Sequence, residues 1–330
     1  MKQILNQLFD HQKLTRDQAK EVLINISHNK YNPSQLAAFI SVYLMRNISV
    51  DELSGFRDAL LDLCIKVDFE TLPIIDLCGT GGDNKNTFNI STLASFVVAG
   101  AGYHVTKHGN YGVSSVSGSS NVLEYFGFKF TNEKDALMRQ MTSSNICFLH
   151  APLFHPALKS VGPIRKELGV KTFFNMLGPL VNPAQPQHQS VGVFSLKLAR
   201  LYQFMHEQTH KKYAIIHTIE GYDEISLTGP VKLITNNEER LVEASYFGLP
   251  KYSQKDIFGG DSVQEAAEMF INILDNKGTV AQNDVVIANA ALAIQCFEQE
   301  KDIKECVCEA KESLASGNAK KSFVKLLNAN

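Results

Sequence analysis

The sequence predicts an α/β protein in which a small helical lobe precedes a larger α/β lobe with a mostly parallel central sheet. Three observations carry this expectation. Residues 1–66 hold only amphipathic helical patterns. From residue 74 onward, short apolar runs of strand type alternate with helical stretches, an order that lays helices on the faces of a parallel sheet. The chain has 330 residues, about two domains at ~150 residues each, enough to bury a full core without disulfide or metal staples.

The helical lobe reads in four steps. Ile4, Leu5, Leu8 and Phe9 share one helical face. Thr15 and Gln18 form a capping-box pattern ahead of Ala19, Val22, Leu23 and Ile26. Asn32-Pro33 starts a third helix that turns Leu36, Phe39, Ile40, Tyr43 and Leu44 inward. Ser49 with Glu52 caps a fourth, whose stripe is Leu53, Phe56, Leu60, Leu63 and Cys64.

The α/β lobe opens with a buried strand over 74–78, a glycine-rich loop, and a helix from about 90 to 101. Further strands are expected over 103–107, 146–149, 189–194 and 213–218, with helices over 119–126 and 197–210. Residues 231–235 and 240–246 read as a hairpin, and the chain from about 261 is helical, with Val285, Ile287, Ala288, Ala291, Leu292 and Cys296 as a core stripe. The expected division is 1–66 for the helical lobe, with 167–186 returning to it, and 67–166 plus 187–330 for the α/β lobe.

Composition narrows the function. The 34 acidic and 32 basic residues leave a net charge of −2, against a dedicated nucleic-acid or membrane-surface protein. The six cysteines are scattered without a CxxC pair, which argues against a zinc site and fits free thiols in a reducing cytoplasm. The start, MKQILNQLFDHQK, lacks the apolar run of a secretory leader, and the longest apolar stretch, 93–105, is broken by Ser, Gly and His and falls short of the ~20 residues of a membrane span. The expectation is a cytoplasmic protein with no nucleic-acid or membrane partner.

The most informative stretch runs from Asp76 to Thr92 and carries Gly79-Thr80-Gly81-Gly82-Asp83 and Asn89-Ile90-Ser91-Thr92 between a strand and a helix. Clustered glycines let backbone N–H groups approach and surround an anion, and the helix N-terminus adds donors and a positive dipole end. This reads as an anion cradle, best suited to phosphate, and neither a Walker loop nor GxGxxG; a tight strand–helix turn with Ser91 as N-cap is the alternative, but needs only one or two glycines. Asp83 repels phosphate, so it belongs with sugar hydroxyls or a metal. A second loop, Lys107 to Ser119, also leaves a strand and enters a helix; Lys107 offers a point charge and Ser114, Ser115 and Ser119 offer donors. Nine of the 21 glycines lie between Gly79 and Gly127, which concentrates backbone-lined surface in these two loops. Adjacent strand ends are where open α/β sheets bind ligands.

Two further elements add charge. Asp223-Glu224, after a third strand, offers paired carboxylates that suit Mg²⁺, although a solvated acidic turn reads the same way. Arg165, in a helix between Pro156 and Gly169, has the planar fork for a carboxylate, or for an ion pair with Glu167. The apolar segment 172–183 reads as a hinge or pocket wall. His108 and His155 titrate near neutrality as free residues, but neither is taken as an essential base.

These motifs resemble the anthranilate phosphoribosyltransferase family over most of the chain. The resemblance rests on Gly79 to Asp83, Asn89 to Thr92, Lys107-His108-Gly109-Asn110, Ser114-Ser115, Phe154-His155-Pro156, Arg165, Gly178 to Pro183 and Asp223-Glu224-Ile225-Ser226, in family order. It implies a fold of the nucleoside phosphorylase/phosphoribosyltransferase type, usually a homodimer joined through the helical lobes. It implies Mg²⁺-dependent transfer of phosphoribose from 5-phosphoribosyl 1-diphosphate to the amine of anthranilate. By that resemblance Gly79, Gly82, Asp83, Thr87, Asn89, Ile90, Ser91, Thr92, Lys107, His108, Gly109, Asn110, Tyr111, Gly112, Val113, Ser114, Ser115 and Ser119 bind the donor. Ser91, Asp223 and Glu224 hold Mg²⁺, and Gly79, Asn110 and Arg165 contact anthranilate; Lys107, Arg165, Asp223 and Glu224 are the residues expected to carry catalysis. Tyr111-Gly112 stand where the family often has Arg and a small residue, and Val116 and Asn121 where it often has Lys and Asp. Two other readings compete. A pyrimidine nucleoside phosphorylase shares the architecture, but Asp223-Glu224 and 178–183 favour the transferase. A non-catalytic nucleic-acid-binding relative fits poorly with a net charge of −2 and retained Arg165 and Asn110.

Overall fold

The computed structural model describes residues 1–112 and 115–329, so Val113 and Ser114 of the expected donor loop lie outside the described residues. The chain forms two compact units, Met1–Val67 with Ala151–Gln185, and Asp68–His150 with Pro186–Asn330.

The helical unit begins with α1 (Lys2–Phe9), α2 (Arg16–Ser27), α3 (Pro33–Met45) and α4 (Val50–Leu63). Capping boxes at Thr15/Gln18, Asn32/Gln35 and Ser49/Glu52 start the last three, each satisfying two backbone donors at a helix start. Glu52 does more than cap. Fully buried, it accepts from the Leu14 and Ser49 amides, the Tyr43 hydroxyl and Arg46, tying α3, α4 and the α1–α2 link together. One expected inward residue points out instead: Leu44 is 46% exposed, and Phe9 of the α1 face is 57% exposed. On α3 the buried stripe is Leu36, Phe39, Ile40 and Tyr43, and Leu44 stands just past its edge.

The α/β unit continues with β1 (Ile74–Gly79), α5 (Ile90–Gly100), β2 (His104–Gly109), α6 (Ser119–Tyr125), α7 (Lys134–Ser144) and β3 (Ile146–His150). Helix α7 is not among the expected elements: its buried face mixes Ala136, Leu137 and Met141 with polar Gln140 and Ser144, which blurs the apolar stripe. The chain then re-enters the helical unit as α8 (Ala151–Phe154) and α9 (Gly162–Leu168). This return starts at Ala151 rather than at 167, which puts Arg165 in the helical unit. Backbone bonds explain it: the Ile65 amide donates to Phe154, and the Val67 amide to Pro183.

The α/β unit resumes with β4 (His188–Gly192), α10 (Leu196–Glu207), β5 (Lys212–Thr218), β6 (Val231–Thr235), β7 (Glu239–Val242), α11 (Val263–Leu274), α12 (Val280–Phe297), α13 (Ile303–Ala315) and α14 (Asn318–Asn328). The sheet runs β3-β2-β1-β4-β5-β6-β7; the first five strands are parallel and the hairpin of β6 and β7 closes one edge antiparallel. Helix α12 is apolar and long enough to cross a membrane by composition alone, yet 72% of it is buried here, where it packs with α5 in the core of this unit. The chain leaves β1 toward β2 and returns on β1's other side as β4. That reversal makes the C-terminal ends of β1 and β4 the topological switch point, where doubly wound sheets bind ligands.

Candidate active site

The glycine loop leaves β1 at this switch point. Gly81, Gly82, Asn84 and Asn86 adopt left-handed backbone, with φ of 63°, 81°, 59° and 46°. Interspersing such residues folds the loop into a concavity that suits an anion. Asp83 Oδ1 accepts from the Lys85 amide at 3.1 Å, and its carboxyl lies against that of Asp223. At the head of α5, Ile90 and Thr92 are buried, at 1% and 2% exposure.

The second loop is fastened to the first. Asn89 Nδ2 donates to the Ser117 carbonyl at 3.0 Å. Asn121 Oδ1 accepts from both the Gly112 amide, at 2.9 Å, and the Gly118 amide, at 3.0 Å, closing the loop at its neck. The Asn110 carbonyl takes bonds from the Ser120 amide and the Ser119 hydroxyl. Tyr111 folds down, with its hydroxyl 3.2 Å from Glu124 and its ring edge-on to His150. His108 is buried, and its amide donates to the buried Asp76 at 3.3 Å. Lys107 is tucked inside rather than extended: its amine donates to the Leu77 carbonyl at 2.6 Å, and its charge acts on Glu224.

Asp223 and Glu224 meet the glycine loop. Asp223 Oδ2 accepts from the Gly81 amide at 2.6 Å, and Glu224 accepts from the Ser91 amide at 3.2 Å and from its hydroxyl. Burial, then the charges of Asp83 and Glu224, push the Asp223 carboxyl far above its ordinary range. Burial also raises Glu224, against the pull of Lys107 and Ser91. Carboxyl groups crowded and desolvated in this way are relieved by a divalent cation. The oxygen-only set of Asp223, Glu224 and Ser91 fits Mg²⁺, which needs only one or two carboxylates when phosphate oxygens complete its shell.

Gly192 belongs to this site although its sequence context gave no sign of it beyond a glycine at a strand end. It pairs with Gly79 across β1 and β4, and the Asp223 backbone lies where a Cβ on Gly192 would stand.

In the helical unit, Arg165 lies 5.3 Å over the Phe174 ring and donates to Asn175 Oδ1 at 3.4 Å. No salt bridge among the described residues involves it, so the ion pair with Glu167 is not formed. Burial lowers its pKa, the mark of a guanidinium held without an acidic partner. His155 is also buried and is pushed down to about 4, which keeps the imidazole neutral at neutral pH and makes it a weak base.

Comparison with known proteins agrees with this geometry. Residues 71–320 match the glycosyl transferase family, a/b domain, and residues 2–64 its helical bundle domain. The chain is 58% identical to the anthranilate phosphoribosyltransferase of Christiangramia forsetii, covering 99% of this chain and 98% of that one. It is 57% identical to that of Flavobacterium johnsoniae, at 99% and 98% coverage. The anthranilate phosphoribosyltransferase structure from Thermus thermophilus superposes with a TM-score of 0.91 at 28% identity, over 98% of each chain. The Saccharomyces cerevisiae enzyme in complex with PRPP and Mg superposes with a TM-score of 0.91 at 26% identity, over 98% of this chain and 96% of that one. With identity above half and sustained along the whole length, the chain belongs to the anthranilate phosphoribosyltransferase family.

Proposed function

We propose that the chain transfers phosphoribose from 5-phosphoribosyl 1-diphosphate to the amine of anthranilate, giving N-(5-phosphoribosyl)anthranilate and diphosphate for tryptophan synthesis. One observation carries the reading: the Gly81 amide, inside an anion-shaped loop, is bonded to Asp223, a carboxylate that burial and its neighbours leave in want of a cation. A site built for phosphate and a divalent cation at once suits a diphosphate leaving group.

The residue roles follow. The loops carrying Gly79, Gly82, Asp83, Thr87, Asn89 to Thr92, Lys107 to Ser115 and Ser119 hold the donor. Ser91, Asp223 and Glu224 would hold Mg²⁺. When bound, Mg²⁺ neutralises charge that builds on the departing diphosphate. Lys107 adds a fixed positive charge from below the glycine loop. The anthranilate amine is a weak nucleophile because its lone pair spreads into the ring. Departure of diphosphate therefore runs ahead of attack, and the sugar passes through an oxocarbenium-like state. The family resemblance assigns Gly79, Asn110 and Arg165 to the acceptor, and Arg165 has the planar fork that pairs with an anthranilate carboxylate. The enzyme works in the cytoplasm as a homodimer; exposed Phe9 and Met45, 57% and 90% accessible on the helical unit, support a subunit contact there.

The test follows anthranilate fluorescence in a mixture of protein, donor and Mg²⁺, with EDTA as control. Signal loss that needs both donor and Mg²⁺ is the expected outcome. Phosphorolysis of a pyrimidine nucleoside, with anthranilate untouched, would replace this reading with the phosphorylase one.

A further inference from the structure

Asn86 joins three segments that are distant in the chain. Its Nδ2 donates to the Gly260 carbonyl at 2.9 Å. Its Oδ1 accepts from the Val116 amide at 3.3 Å. Its own carbonyl accepts from the Gly259 amide at 2.8 Å. Next to it, Thr87 pairs with Phe258 as an antiparallel bridge, and Gly259 lies so close that a Cβ there would stand 2.5 Å from the Thr87 carbonyl. The segment 258–260 is therefore a strap across the outer side of the glycine loop. Through Asn86 the strap is also joined to the second loop.

The side chain spends both its polar atoms on protein partners. Its contribution is to placement, not to contact with a ligand. Asn86 also sits at φ 46°, where asparagine is among the few non-glycine residues tolerated. We propose that Asn86 is a positioning residue for the phosphoribosyl donor, a clasp that fixes the spacing of the two donor loops by tying both to the 258–260 strap. The inference rests on the donor-site reading above. Loops held in register keep their amides aimed at one ligand, and ordering lost from the free protein must otherwise be supplied on binding.

Two substitutions and two readouts test it. Asn86→Gly keeps the left-handed backbone at no steric cost and removes both side-chain bonds. It is expected to raise the donor KM about tenfold, with kcat within about twofold and the anthranilate KM unchanged. Asn86→Asp keeps an acceptor for Val116 but turns a carboxylate on the Gly260 carbonyl, so the strap alone is released. By hydrogen exchange, Asn86→Gly is expected to speed exchange at both the Val116 and Gly259 amides, and Asn86→Asp chiefly at Gly259. An unchanged donor KM overturns the clasp, as does a uniform loss in kcat and both KM values that tracks a falling Tm. Exchange at wild-type rates in Asn86→Gly overturns it without reference to activity. If the wild-type chain fails to consume anthranilate, the donor-site reading falls, and the exchange data still decide whether Asn86 couples the segments.

Discussion

Gly79 and Asp223 approach so closely that a Cβ on the glycine would lie 2.5 Å from the carboxylate Oδ2. The contact links two segments separated by most of the α/β unit, and it aims the carboxylate into the glycine loop. Gly79→Ala should therefore push Asp223 aside while leaving the buried body of β1 intact. The expected result is a loss in kcat/KM on the order of a hundredfold, as for reacting groups misplaced by about 1 Å. A rise in the Mg²⁺ concentration needed for half-maximal rate should accompany it. Gly79→Ala with a normal Mg²⁺ titration would show that the contact does not set the cation site.

In the ligand-free fold Asp223 and Glu224 carry an electrostatic cost. Both carboxyls titrate higher in the folded chain than in the unfolded one, so their ionisation destabilises the fold as pH rises. Asp223→Asn removes one charge and leaves an oxygen for the Gly81 amide. In EDTA at pH 8 the variant should be more stable than wild type by about 1–3 kcal/mol, while kcat falls steeply. The stabilisation that wild type gains from donor with Mg²⁺ should disappear. Chemical denaturation with and without those ligands reads both effects, and a less stable Asp223→Asn in EDTA would contradict the electrostatic account.

The acceptor role proposed for Arg165 can be tested apart from the chemistry. Its guanidinium lies over the Phe174 ring and donates to Asn175 at 3.4 Å, and the side chain is half-buried, so each variant is read beside its Tm. Arg165→Ala is expected to raise the anthranilate KM about 10- to 100-fold with a smaller change in kcat. Arg165→Lys should rescue poorly, since a point charge lacks the two parallel donors. Full rescue by lysine would mean that charge alone suffices.

The sequence made the fold readable where the local signals agree. Capping boxes and stripes located α2 to α4, and apolar runs located β1 to β5, because each local choice matched the final packing. It also brought out the glycine loop, while Asp223-Glu224 read equally as a metal site or a solvated acidic turn; that both are packed against the loop is visible only in the structure. What it hid are relations made only by tertiary contact. Asn121 stands where the family often has Asp, yet it still presents one oxygen to the Gly112 and Gly118 amides, a role no composition reveals. Gly192 matters because Asp223 lies over it, and Lys107 turns inward to Leu77. The return of the chain at Ala151 was masked because α8 and α9 continue directly from β3 without a composition break.

His155 gives the helical unit a measurable pH dependence. The imidazole is 2% exposed, and burial pushes it down to about 4, against a weaker opposing effect of the Val181 backbone. The unfolded chain binds this proton near 6.5, so it takes it up first as pH falls. The stability tied to neutral His155 is complete above about pH 6.5, drains away between there and about 4, and then levels off. Between pH 7.5 and 5 the loss from this residue is about 2 kcal/mol. Asp223 and Glu224 oppose it in the same window, because protonation relieves them, so the total slope of wild type is not diagnostic. The comparison that isolates His155 is His155→Gln against wild type, each unfolded by urea at both pH values. The variant loses packing at either pH, but the gap between the two proteins should narrow by about 2 kcal/mol at pH 5. A constant gap would mean that His155 is protonated in the folded protein as readily as in the unfolded one.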